Sequence, residues 1–423
     1  MNYTNLSKLT AIVALLFTVS VNAQDFTFQN YHWDDKNTVI DIPAQYKDEK
    51  EVVLSRVVKI ELATKGKGAA QYYMVHERTY INSNDAVERN NKVYIPFKMN
   101  ESVIETKVRV IQQNGKVTLF DKKDIKEEID EEKQIKYNYF AITGLEKGSV
   151  IEKIFMLEEF PELDGKTLRM QSSVPIVSNE FQLIYPRHLK FKTKSSNGLP
   201  EAVEATATDT LKKTLTVSDK NIAALEDDEK YSNRDVYLKL FRYKLDENFY
   251  TGAKNINSYA KFTSNFYDRI NPALDKKDLK TITDFCSQIP KTSDTQAQIW
   301  NIENKIKKTI SFNLYAENAE SIAAILKSKQ ANKIDLLKLY SAVFREFKIE
   351  NKLVLTSNRF EIPFEKDFES YENLDEALFY FPAIKKYLTP SEIEYRIPLF
   401  PDNLGNNNGL FISEKVFGGV SMG

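Results

Sequence analysis

Between Val52 and Val217 the apolar residues come in short runs with a period near two. Lys107-Val108-Arg109-Val110-Ile111 alternates in this way, and alternation places successive side chains on opposite faces of a strand. Asn114-Gly115 joins that run to Lys116-Val117-Thr118-Leu119-Phe120, a hairpin signal because asparagine and glycine tolerate positive φ. Val52–Leu54, Val57–Leu62, Tyr72–His76, Lys92–Phe97 and Val150–Leu157 read as further strands. Phe181–Tyr185 and Leu189–Lys194 read as one more pair, broken by Pro186. Short strands with frequent turns predict an antiparallel β-sandwich.

After Asn255 the period lengthens. Tyr259, Phe262, Phe266 and Ile270 recur at three- and four-residue steps, as do Leu279, Ile282 and Cys286. Ile299, Ile302, Ile306 and Ile310 form a long stripe, and Leu336, Tyr340, Val343 and Phe347 form the last. Each stripe predicts one buried helical face. Strands then return at Lys352–Thr356, Ala377–Phe381 and Gly409–Ile412. The fold class is therefore α+β, with the change of pattern between Leu245 and Asn257, around Gly252. This gives a sandwich over residues 24–250 and a helix-led core over 251–423. The chain stops at Gly418–Gly423, soon after a strand and without a closing element, and a further C-terminal domain is one expectation.

The first residues bear on the compartment. Lys8 precedes an apolar stretch, Leu9–Val21, which ends in Val21-Asn22-Ala23. Small residues at that spacing suit signal peptidase, so residues 1–23 read as a secretory signal peptide cut after Ala23. The stretch is shorter than the roughly 20 residues of a membrane span, and the rival reading is an uncleaved anchor. No other stretch is apolar enough to cross a membrane. Acidic and basic residues nearly cancel, 60 against 59, which argues against a dedicated nucleic-acid binder. The single cysteine, Cys286, excludes an internal disulfide, so stability rests on packing. The acidic runs Glu127–Glu132 and Glu226–Glu229 lack the interleaved glycine of a calcium loop and read as solvated faces or linkers.

The order of elements after Asn255 resembles the papain-like core of bacterial transglutaminase-like proteins. Ile302–Phe312, Ala319–Leu326, a helix and three strands follow one another as in that core. The segments Val110–Phe120 and Thr143–Phe160 resemble the uncharacterised domain that precedes it in envelope proteins of Gram-negative bacteria. The resemblance implies a cysteine opening a helix as Cys-x-Asp, a histidine beginning the next strand, and an aspartate in a Leu-Asp-Pro-Thr-like turn. The helix Leu336–Lys348 sets the register. Asp335 then matches the aspartate of Cys-x-Asp, and Lys333 stands where the cysteine should be. Glu376 takes the place of the histidine, and Thr389 that of the turn aspartate. A shift of two residues would put Ala331 at the nucleophile position, which is equally unable to attack.

Other residues agree with a lost triad. His32, His76 and His188 all precede the helical region, so the candidate core holds no histidine. Cys286 lies on an apolar helical face and reads as core. No metal-ligand spacing, phosphate-binding loop or serine elbow occurs, and no cofactor is expected. The leading expectation is a non-catalytic exported binding or scaffold protein of the periplasm or cell envelope. Its partner would be an envelope protein, a peptide or a glycan, with Lys333, Asp335, Glu376, Tyr380 and Thr389 as binding candidates. The alternative is an active cysteine-dependent protease or acyltransferase of the same superfamily.

Overall fold

The computed structural model describes residues 26–65, 68–95, 102–130, 135–205, 211–225, 233–413 and 416–417. The expected signal peptide and the run Glu226–Glu229 lie outside them. In chain order the main elements begin with β1 (Glu51–Lys65), β2 (Gly68–Ile81), α1 (Asn84–Arg89), β3 (Ser102–Ile111), β4 (Val117–Phe120) and β5 (Ser149–Glu159). Then come β6 (Lys166–Arg169), β7 (Ile176–Pro186), β8 (Leu189–Ser195), β9 (Val203–Ala205), β10 (Lys212–Ile222) and β11 (Leu240–Asn248). The helices α2 (Tyr259–Ile270), α3 (Lys276–Ser287), α4 (Thr295–Thr309), α5 (Ile322–Ser328) and α6 (Lys333–Glu346) follow. Last are β12 (Lys352–Thr356), β13 (Glu376–Phe381), β14 (Lys386–Leu388), β15 (Leu410–Ser413) and β16 (Val416–Phe417). The chain is thus a mixed, strand-rich α+β protein.

It forms two compact units that interleave in sequence. The first holds Met1–Pro161, Glu180–Pro186 and Glu204–Thr216; the second holds Glu162–Asn179, Arg187–Val203 and Val217–Gly423. A single cut near residue 250 does not reproduce this division, because β6, β8 and β11 belong to the second unit. Phe181–Tyr185 and Leu189–Lys194 are strands, as expected, but they do not pair. β7 joins an eight-stranded sheet, whereas β8 pairs with β11, Leu189 opposite Asn248. Each strand finds another partner, and register follows which face has apolar cover.

In the first unit the eight-stranded sheet has the order β9-β10-β7-β1-β2-β5-β3-β4. The expected hairpin is present: Val108 faces Phe120 and Ile111 faces Val117. Gly115 has φ +79°, and Asn114 Oδ1 accepts from Lys116 N at 2.9 Å. The pleat sorts adjacent residues to two cores. Val75, Val108, Val110 and Ile151 pack with Val93 and Phe140 of a smaller sheet. Met74, Ile154 and Met156 pack instead with Phe26, Phe28 and Trp33 of the N-terminal segment. Tyr31 Oη lies 2.8 Å from His76 Nδ1, and His76 Nε2 lies 2.8 Å from Glu152. Arg109 completes the chain, bonding Glu152 and the carbonyl of Asp34. His76 is thus absorbed in fixing the segment to the sheet.

In the second unit each helix from α2 to α6 opens on a capping side chain. Ser258, Asp275, Asp294, Ser321 and Asn332 each accept the backbone N–H three residues on. The helices pack on a five-stranded antiparallel sheet of order β14-β13-β12-β15-β16. Helix α6 sits at the centre, with Leu336, Leu339, Tyr340, Val343 and Phe344 all buried. The predicted stripes hold with one exception: Leu279 is 51% exposed, while Ile282 and Cys286 of the same helix are buried. One turn before Ile282, position 279 points off the packed face, and a single exposed leucine is ordinary.

Candidate functional site

The site expected from the sequence lies where α6 begins. Asn332 caps the helix, and its side chain also donates to the carbonyl of Ala316 at 3.0 Å. Lys333 follows as the first helical residue, half-buried, and its ammonium donates to the carbonyl of Asp375. That carbonyl immediately precedes Glu376, the first residue of β13. The structure therefore brings Lys333 to the foot of β13. Burial pushes the Glu376 carboxyl above the ordinary range, Lys333 opposes the shift, and Glu392, Asp375 and Glu361 add to it.

Asp335 is buried and works within the fold. Its Oδ2 accepts the N–H of Ala319 at 2.7 Å, and Lys338 Nζ approaches Oδ1 at 3.2 Å. With Asn332 it pins the segment before α5 to the start of α6. Asp278 acts likewise, accepting the N–H of Ala323 at 2.8 Å at the start of α5. A carboxylate there meets unpaired N–H groups and the positive end of the helix.

The two remaining candidates sit elsewhere on the sheet. Ala377, Phe379 and Phe381 of β13 face the helices, Phe379 lying 5.9 Å from Tyr340. Tyr380 points the other way, packed at 4.9 Å on Tyr387 and at 5.7 Å on Phe411. It does not line the helix side of the sheet. By the same alternation Glu376, opposite Thr356, shares the face of Leu378 and Val354. The nearest β13 side chain on the helix face is Ala377, which also cannot act as a base. Thr389 directly follows β14 and is buried, and its hydroxyl finds no hydrogen-bond partner among the described residues.

Thiol and imidazole chemistry lie away from this place. Cys286 is buried on α3, and desolvation pushes its thiol up to about 12, with Glu346 adding to the effect. His32 is exposed beside the carbonyl of Asn30, and His188 stacks on Tyr250 at 4.1 Å. Among the described residues no three His, Cys, Asp or Glu side chains converge as metal ligands would, and no helix is long and apolar enough to cross a membrane.

Sequence reasoning passed over one built feature near the site. Glu303 and Lys307, one turn apart on α4, form a buried ion pair at 2.7 Å. Lys307 also donates to the carbonyls of Glu392 and Tyr395, and Glu303 accepts the N–H of Ile397. The pair thereby ties down the segment that follows Thr389. In sequence it looks like a surface i,i+4 pair; its place beside Ile302 and Ile306 in the stripe was the available signal.

Comparison with known proteins bears on the fold. Residues 68–226 match the family described as Domain of Unknown Function with solved-structure structure (DUF3857). No curated protein matches the sequence. A solved structure described as a "putative protease" from Parabacteroides distasonis ATCC 8503 superposes with a TM-score of 0.65 at 13% identity. The alignment covers 86% of this chain and 70% of that one, and at this identity it speaks for the fold alone. The M1 zinc metallopeptidase of Deinococcus radiodurans is far less similar, with a TM-score of 0.26 at 10% identity over 46% of this chain and 42% of that one. Aminopeptidase A of Legionella pneumophila gives 0.27 at 10% identity, over 48% and 22%. Neither of these carries an argument.

Proposed function

We propose that this chain is a non-catalytic, exported binding or scaffold protein whose second unit is a transglutaminase-like core. One observation carries the reading: the first residue of α6 is Lys333, and its ammonium is engaged by the Asp375 carbonyl. A cysteine enzyme needs a thiolate at such a helix start, stabilised by the helix and an adjacent imidazole. An ammonium offers donors and no lone pair. The buried thiol of Cys286 and the lack of any histidine after His188 support the same reading.

In place of a nucleophile the site carries an ammonium held by a backbone carbonyl, near enough to Glu376 to favour its charged form. An ammonium with a carboxylate near it suits charge-assisted hydrogen bonding to a peptide or a glycan. Binding of the mature protein to arrays of peptides and oligosaccharides tests this. One class should be retained intact, and Lys333→Glu should abolish retention. Retention indifferent to that change, or cleavage of the retained ligand, would overturn the proposal. Export to the periplasm or envelope is tested separately: the intact mass of the recovered protein should place its N-terminus at Gln24.

A further inference from the structure

At the far end of α6, Arg345 lies about 18 Å along the axis from Lys333, at about 1.5 Å per residue. A pocket of about 380 Å³ opens there, between α2, the end of α6 and the sheet. That is near the small end of ligand pockets, which run from about 300 to 1,000 Å³. Its floor is apolar and buried, with Ile270, Leu353 and Phe379 contributing.

The rim is charged. Arg345, Glu350 and Lys352 all line it, and among the described residues none of the three makes an ion pair. Arg345 is nonetheless held in place. Asn271 Oδ1 accepts from its Nη2 at 2.8 Å and from Ser341 Oγ at 2.5 Å. A neutral acceptor orients the guanidinium without neutralising it. Lys352 lies opposite Tyr380 on the strand pair, so its side chain takes the sheet face away from the helices. One cation, Arg345, and one carboxylate, Glu350, thus stand at the rim of an apolar floor, and a planar guanidinium binds a carboxylate through two parallel N–H donors.

We infer that this pocket binds an α-carboxylate carried beside an apolar side chain, as in a free apolar amino acid or the C-terminal residue of a peptide. The carboxylate meets Arg345, the side chain lies on Ile270, Leu353 and Phe379, and Glu350 faces an ammonium where the amine is free. The site is independent of the one at Lys333. Arg345 also stands in the last turn of α6, where a cation complements the helix dipole. That role alone would affect stability and leave no ligand requirement.

Titration calorimetry of the mature protein separates the two. The probes are L-phenylalanine, L-phenylalaninamide, N-acetyl-L-phenylalanine and the dipeptide Ala-Phe. L-Phenylalanine or Ala-Phe should bind saturably, and phenylalaninamide at least about tenfold more weakly, a difference of about 1.4 kcal/mol. If the natural ligand is a free amino acid, N-acetylation and Glu350→Gln weaken binding. If it is a peptide end, Ala-Phe and N-acetyl-L-phenylalanine bind at least as well as phenylalanine. Arg345→Met should cost about tenfold in affinity. Arg345→Lys keeps the cation at the helix end but loses the two-pronged donor, so it should also weaken binding and stays informative even if Arg345→Met fails to fold. No saturable binding of any probe at millimolar concentration would overturn the inference. So would equal binding of the amide, or binding unchanged by Arg345→Lys.

Discussion

Replacing Lys307 by methionine would strip one partner from the buried pair that holds the segment after Thr389. Glu303 is wholly buried and Lys307 nearly so, and burial alone pushes the Lys307 ammonium pKa down while Glu303 holds it up. The substitution keeps the stem but removes three hydrogen bonds, to Glu303, to Glu392 O and to Tyr395 O. Among the described residues it leaves the Glu303 carboxylate with the Ile397 N–H alone. Breaking a buried pair from one side costs about 3–5 kcal/mol, because an uncompensated charge remains. For a unit of this size that corresponds to roughly 10 °C in Tm, at about 2–4 °C per kcal/mol. The double variant Glu303→Leu/Lys307→Met removes both charges and should recover part of the loss, giving a clear coupling energy. Of the two tryptophans, Trp300 lies on α4 itself, so in a Trp33→Phe background its fluorescence during urea unfolding reports this unit. A Lys307→Met variant within about 1 kcal/mol of the parent, well under the one-sided cost, or strictly additive single and double changes, would mean that the pair does not hold the segment.

Three further outcomes follow from other residues. With its thiol pushed up to about 12 from a usual 9.0, Cys286 should label about a thousandfold more slowly at pH 8 than a thiol of ordinary acidity, and denaturant should release it; fast native labelling would contradict its burial. Glu77 is held down at about 2 by Lys153 and Arg56 although burial alone would raise it, so the unfolded chain takes up the proton first as pH falls. Its contribution is present above about 4.5 and is lost towards pH 2, a loss of about 3 kcal/mol that Glu77→Gln should remove from the stability profile measured by urea titration across pH. Asp335→Ala should cost about 1–3 kcal/mol in denaturant unfolding, by leaving the Ala319 N–H without its acceptor.

The fold class was legible because period decides it. Alternation over Val108–Ile111 and three- to four-residue steps from Tyr259 onward gave strands and helices where they stand. The polar caps, Asn332 among them, went unread, although a capping side chain ahead of an apolar stripe is a local signal. Partner choice was not readable. Nothing local in Phe181–Tyr185 or Leu189–Lys194 says that the two strands join different sheets, because pairing depends on residues distant in sequence. The orientation of Tyr380 was equally hidden. A strand covered on both faces is apolar throughout, as Ala377–Phe381 is, and its sequence does not say which face meets the helices. Asp375 escaped notice because it enters through its backbone carbonyl, which every residue has.

We have proposed that the second unit is a transglutaminase-like core without the catalytic chemistry. This is tested most directly by incubating the mature protein and its Cys286→Ser variant with a broad mixture of peptides, esters and glutamine-containing acyl donors. Release of products is then followed by mass spectrometry. Neither protein should show hydrolysis or transamidation above the uncatalysed rate. Turnover by the parent that Cys286→Ser abolishes would contradict it.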